Sequence, residues 1–234
     1  LPATVATLQQ IQSHHIMAVP FENLDIMAGI PLSFDIDHLY NKIVERRRGG
    51  ICYEVNLLLA HMLENLGYKV TRLSALSPKY GDDFDHILLV VHAEACEWLV
   101  DVGFADNYFI PLKLECDTWQ SDTRDQFKIT RAHDTYSLIK LMEGTEVVKY
   151  IFTLQERQPA DYKKRCDWFC TAPESQFTQG KIVALDRPHG RVSLTQNRLL
   201  ITEAGKKERT EIPDEAAFAH HLQESFGIKL PQES

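Results

Sequence analysis

Between Glu45 and Leu76 the sequence reads ERRRGGICYEVNLLLAHMLENLGYKVTRLSAL, and its hydrophobic period changes partway along. From Cys52 onward, Val55, Leu58, Leu59, Met62, Leu63 and Leu66 recur at helical spacing and make one continuous apolar face. Gly67 stands where a helix ends. The run "YKVTRLSAL" that follows is short and β-branched, as strands are. The chain therefore passes from helices into a β region at about residue 67.

Periodic apolar residues continue in both directions. Upstream, Val5, Leu8, Ile11 and His15 keep helical spacing until Pro20 interrupts, and "FDIDHLYNKIVERR" predicts one further helix with Phe34, Leu39, Ile43 and Val44 on a stripe. Downstream, "HILLVVH", "EWLVDVGF", "TYSLIKLM" and "VVKYIFTL" predict strands to about Leu154. After a polar connector, "RVSLTQ", "RLLITE" and "RTEIP" predict a small antiparallel meander, and "PDEAAFAHHLQESFG" a closing helix. The order predicts an α+β chain in three parts: helices over 1–66, a mainly antiparallel β region over 67–160, and a connector with an α/β end over 161–234.

Composition limits the functions available. The net charge of −8 argues against general nucleic-acid binding, which needs a basic face for phosphates. No apolar run approaches a bilayer span, so no membrane partner is expected. Five cysteines, an odd number without a secretory signal, point to free thiols in a reducing, cytoplasmic setting. The chain opens on Leu1 rather than Met, which leaves room for an upstream segment. Nothing in the sequence fixes an oligomeric state.

Cys52 draws attention by its position. A buried structural thiol is the plainer reading of any free cysteine. Here, however, Gly49-Gly50 permits a tight backbone just before the helix, and a thiol at a helix N-terminus meets a positive dipole that favours thiolate. Arg46, Arg47 and Arg48 add positive charge. A base and an orienting acid are also available. If "HILLVVHAEACEWLVDVGF" folds as a hairpin about Ala93-Glu94, then Val90 opposes Glu97, Leu88 opposes Leu99 and His86 opposes Asp101. Cys52, His86 and Asp101 then form the nucleophile, base and acid of thiol catalysis. The spacing of Cys166 and Cys170 is a poor zinc signature, and neither pair of adjacent histidines can hold a metal between them, so no metal is expected.

A Cys-His-Asp set serves proteases, amidases, transglutaminases and acyltransferases alike. Resemblance narrows the choice. "VPFENLDI" (19–26), "RRGGICYEVN" (47–56), "HILLVV", "LVDVGF" (99–104) and, more weakly, "CTAPESQF" (170–177) resemble successive blocks of the arylamine N-acetyltransferases. That resemblance implies a helical bundle, a central antiparallel β-barrel and a C-terminal α/β lid. It implies acetyl-CoA as cosubstrate, no metal, and transfer through a Cys52 thioester to arylamines, arylhydrazines or N-hydroxyarylamines. It also assigns Cys52, His86 and Asp101 to catalysis, Phe21 to the aromatic acceptor, and Gly103-Phe104 to the cleft.

The chain departs from the family pattern in three places. Ala105-Asp106 replaces a usual glycine, Cys166 a usual Asn, and Cys170 a usual Ser. Arg48 and Glu22 are expected to pair and brace the cysteine loop. An amide synthase of the same fold using another acyl donor, or a transglutaminase-like thiol hydrolase, remains the alternative.

Overall fold

The computed structural model describes residues 1–104, 108–122 and 124–229. Helix α1 (Val5–Ala18) opens on an Oγ1 of Thr4 that accepts from the Thr7 amide at 3.2 Å, and buries Leu8, Gln12 and Ile16. Strand β1 (Phe21–Glu22), helix α2 (Leu24–Met27) and helix α3 (Ile36–Tyr40) follow. The single helix expected over Phe34–Arg47 is instead α3 followed by a wider π turn at Asn41–Glu45. That turn accompanies burial of Lys42, whose ammonium meets Asp25 and Glu54 at 2.7 Å each. Helix α4 (Cys52–Asn65) ends before Gly67, which takes a left-handed φ of 90°.

Strands β2 (Lys69–Leu76), β3 (His86–Ala93), β4 (Cys96–Val100), β5 (Leu112–Lys113), β6 (Trp119–Ser121), β7 (Gln126–Ala132), β8 (Thr135–Met142) and β9 (Thr145–Glu156) form one antiparallel sheet. Their order is β5-β4-β3-β2-β9-β8-β7-β6, so the sheet curls until β5 and β6 become neighbours. The side-chain amide of Gln120 then closes the barrel, accepting from the Lys113 N–H at 2.7 Å and donating to its carbonyl at 2.8 Å. One face of this sheet encloses Leu73, Leu88, Leu99, Phe127, Leu138, Tyr150 and Phe152. Its other face shares a core with the helices, where Leu57, Leu59 and Leu63 of α4 meet Ile87, Leu89 and Val91 of β3.

The β3–β4 register differs from the expected one. Val90 faces Leu99 and Leu89 faces Val100, around a turn at Glu94-Ala95 rather than Ala93-Glu94. Both turn residues take positive φ, 50° and 60°, as a tight two-residue hairpin requires. Glu94 has a second task there, since its carboxylate accepts from the Val5 amide of α1 at 3.1 Å. The change moves every partner by an even count, so the same side chains still face the same side.

The C-terminal part holds helix α5 (Lys163–Thr171), strands β10 (Ile182–Arg187), β11 (Gly190–Thr195), β12 (Arg198–Glu203) and β13 (Lys206–Glu211), and helix α6 (Glu215–Phe226). The expected three-stranded meander is β11–β13; β10 extends it, and β1 pairs with β10 to make a five-stranded sheet. Phe21 from the start of the chain thereby stands opposite Ala184. Phe218, Leu222 and Phe226 of α6 pack on Val183, Val192 and Leu194. Among the described residues no helix is long and apolar enough to cross a membrane.

Candidate active site

The loop before α4 is held from several sides. Gly49 lies so close to β1 that a Cβ there would stand 1.7 Å from the Pro20 carbonyl oxygen, which only glycine avoids. Arg48 donates to Glu22 Oε1 at 2.9 Å and to Asp25 Oδ1 at 2.8 Å, so the expected Arg48–Glu22 pair forms and gains a second carboxylate. Glu22 also accepts from the Gly49 and Leu24 amides, at 3.2 and 2.7 Å. Glu54, in the first turn of α4, accepts from the Ile51 amide at 3.1 Å and from Lys42 at 2.7 Å. Three carboxylates thus share two cations. Burial accordingly pushes Glu54 up to about 7 despite Lys42, while Lys42 itself is raised by the carboxylates around it against the effect of burial. The result is a fixed platform for Cys52, the first residue of α4.

Each residue of "PFEN" has its own task. The Pro20 carbonyl accepts from Gly50, Phe21 faces the cleft, and Glu22 holds Arg48. Asn23 donates to the carbonyls of Phe177 and Gly180 at 2.8 Å each, and accepts from Ile182 at 2.7 Å.

His86 begins β3, and Asp101 lies just past the end of β4. In the observed register the two are diagonal rather than opposed, a relation that long side chains still bridge. His86 Nε2 donates to Asp101 Oδ2 at 2.7 Å, with both groups buried. Burial lowers the affinity of the His86 ring for its proton, but the Asp101 carboxylate and then Cys52 outweigh it, so the ring is pushed up to about 10. Cys52 supplies one of the hydrogen bonds that raise it.

Four polar residues that sequence reading passed over complete the arrangement. Asn56, one helical turn after Cys52, donates to Asp101 Oδ1 at 2.9 Å and to the Ile87 carbonyl at 2.8 Å, and accepts from the Val102 amide at 3.0 Å. Gln12 of α1 accepts from the Asp101 amide at 3.4 Å and donates to the Tyr108 carbonyl at 3.0 Å. Tyr150 of β9 hydrogen-bonds the Asp101 carboxylate, lies 3.3 Å from the Tyr108 hydroxyl, and is raised by burial, then by Tyr108 and Asp101. The spacing of Asn56 from Cys52 offered a clue; Gln12, Tyr108 and Tyr150 reach the site only through tertiary packing.

These residues face a cleft of about 280 Å³ lined by Phe21, Cys52, Tyr80, His86, Phe104 and Phe177, among others. Phe104 packs edge-on against His86 with ring centroids 5.1 Å apart. Gly103 passes directly over Cys52: a Cβ there would fall 2.5 Å from Cys52 Cα. Five of the six residues singled out from sequence, Phe21, Cys52, His86, Gly103 and Phe104, therefore line one cleft, and Asp101 lies buried behind His86. Gln176 and Ile182 continue the cleft into a polar groove that carries Lys181 and Arg198. Ala105-Asp106 lies outside the described residues. Cys166 and Cys170 lie one turn apart on α5, packed with the core that contains Cys52. Among the described residues no group of three or more His, Cys, Asp or Glu is arranged to hold a metal ion.

A thiol on a helix N-terminus, a protonated imidazole beside it and a buried carboxylate behind form an arrangement suited to acyl transfer through sulfur. Comparison with known proteins agrees in class. A family model described as N-acetyltransferase matches residues 4–234. An arylamine N-acetyltransferase of Mycolicibacterium smegmatis is 31% identical over 236 residues, spanning 97% of this chain and 86% of the relative. A pineal gland isozyme of arylamine N-acetyltransferase from Gallus gallus is 33% identical, spanning 96% and 87%. The structure of the Mycobacterium marinum arylamine N-acetyltransferase in complex with CoA superposes with a TM-score of 0.89 at 31% identity, covering 97% of this chain and 88% of that one. The chain belongs to the arylamine N-acetyltransferase family of acyltransferases.

Proposed function

We propose that the protein moves an acetyl group from acetyl-CoA to Cys52, and from the Cys52 thioester to the nitrogen of an arylamine, arylhydrazine or N-hydroxyarylamine. The buried 2.7 Å His86–Asp101 pair facing Cys52 across an aromatic cleft carries this reading. In the first step the Cys52 sulfur attacks the thioester carbonyl, and His86 protonates the departing CoA sulfur. Exchange of one thioester for another is nearly balanced in energy. In the second step the amine nitrogen attacks the Cys52 thioester, His86 takes up a proton as the amide forms, and the Cys52 sulfur leaves. Asp101 holds the ring in the orientation both steps need. The N–H of Cys52, at the first position of α4 and without an intrahelical acceptor, supplies a donor for the oxyanion.

Phe21 and Phe104 offer ring faces to an aromatic acceptor, and Gly103 leaves room for the acyl group. The groove with Lys181 and Arg198 suits the phosphates of the donor. Five free thiols, the nucleophile among them, suit a reducing compartment such as the cytoplasm. The test is steady-state kinetics with acetyl-CoA and a simple aromatic amine. Parallel double-reciprocal lines are expected. Intersecting lines, or hydrolysis of a glutamine amide in place of transfer, would contradict the proposal.

A further inference from the structure

We infer that Gln12 is a positioning residue for the reaction, its single side-chain amide holding Asp101 and Tyr108 together from α1. The inference rests on the role proposed for Asp101. Gln12 is fully buried, which an uncharged amide tolerates only with its partners in place. Its Oε1 accepts from the Asp101 N–H at 3.4 Å, beyond the last β3–β4 pair at Val100, where the ladder no longer serves that group. Its Nε2 donates to the Tyr108 carbonyl at 3.0 Å. Tyr108 in turn touches Tyr150, which hydrogen-bonds the Asp101 carboxylate. One amide thus fixes the backbone that carries Asp101 and the tyrosine that meets Tyr150, which supports the carboxylate from the far side. An apolar residue in its place would fill the space and hold neither. Among the described residues, the titratable groups that face the His86 ring are Cys52 from α4, Asp101 beyond β4 and Tyr150 of β9.

Gln12→Met keeps the volume and removes both bonds; Gln12→Asn is milder, too short to span both partners, and serves if the first variant does not fold. Leu8→Ala, on the same helix and fully buried, lowers stability without touching Asp101. Each is assayed well below its melting temperature for acetyl transfer and for the pH profile of Cys52 alkylation by iodoacetamide, followed on the Cys52 peptide. Gln12→Met should lower kcat about tenfold with little change in KM for acetyl-CoA, and move the alkaline limb of the alkylation profile, the change in rate as His86 loses its proton beside Cys52, down by about one pH unit. Gln12→Asn should move both in the same direction, and Leu8→Ala neither. An unshifted limb and rate in the Gln12 variants, or the same shift in Leu8→Ala, would overturn the inference. Alkylation needs no acetyl donor, so an enzyme that transfers no acetyl group while its limb still shifts would count against the proposed reaction and not against Gln12.

Discussion

Replacing Asp101 by Asn keeps the shape of the side chain and removes its charge. Asp101 Oδ1 accepts from Asn56 and from the Gly103 amide at 2.9 Å each, so the carbonyl of an Asn would turn that way. Its NH₂ would then face His86 Nε2, which could no longer donate. A neutral ring in that state carries its proton on Nδ1 and cannot accept one there from the nucleophile. The charge effect acts in the same direction. With the ring at about 10, nearly every molecule holds the imidazolium at pH 8. Without Asp101, only Cys52 still opposes burial, so the ring falls back toward its ordinary 6.5, at which about one molecule in 30 does so. The acetylation rate at pH 8 should therefore fall by an order of magnitude, to a limit of roughly 30-fold from the charge effect. Rapid-mix acetylation by acetyl-CoA from pH 6 to 10.5 gives the profile directly. The native enzyme should be flat through neutral pH and decline as pH rises through about 10, while the variant's decline should begin well below 10. A variant with its limb still near 10, or a rate at pH 8 within a few-fold of native, would refute the reasoning. Folding is linked to the same group. Because the folded ring binds its proton more tightly than the unfolded one, its stabilisation is full below 6.5 and is lost as pH rises through about 10. Asp101→Asn should flatten that slope in urea-melt stability.

Other residues give sharper local tests. Arg48→Ala leaves Glu22 and Asp25 as buried carboxylates with one cation fewer, and should cost about 3–5 kcal/mol by urea denaturation. Gly103→Ala drives a methyl to 2.5 Å from Cys52 Cα, so acetyl transfer should drop roughly 100-fold while the barrel stays folded by circular dichroism. Glu54→Gln should remove a second stability slope. The carboxyl of Glu54 sits at about 7 against an ordinary 4.5, so the folded state holds that proton more tightly and loses stability as pH rises from 4.5 through 7. Melts of the variant should be flatter across that window.

The sequence revealed periods more readily than pairings. The helix from Cys52 and the strands at His86, Thr135 and Thr145 were legible because their apolar residues repeat at 3.6 or 2. Strands β6 and β7 and the two-residue β1 were not, since short runs such as Phe21–Glu22 gain strand character only from a distant partner, here β10. The turn at Glu94-Ala95 lacks the Asn-Gly or Asp-Gly signal that marks such turns, so the hairpin was centred one residue early. The His86–Asp101 contact survived that error because the true register keeps both residues on one face and within diagonal reach. Cys52 stood out by its place after Gly49-Gly50. The carboxylate cluster beneath it was half visible: Arg48–Glu22 was legible, but Lys42, Asp25 and Glu54 join across a π turn that the sequence pattern does not show.

Cys52 is the carrier of the acyl group in the proposed reaction. The most direct measurement is the intact mass of the protein after incubation with acetyl-CoA and no amine. The predicted result is a gain of one acetyl group on the Cys52 peptide, absent in Cys52→Ala and discharged when an aromatic amine is added. An unmodified Cys52 under conditions where amine is acetylated, or an acetyl group that persists in Cys52→Ala and still reaches the amine, would contradict it.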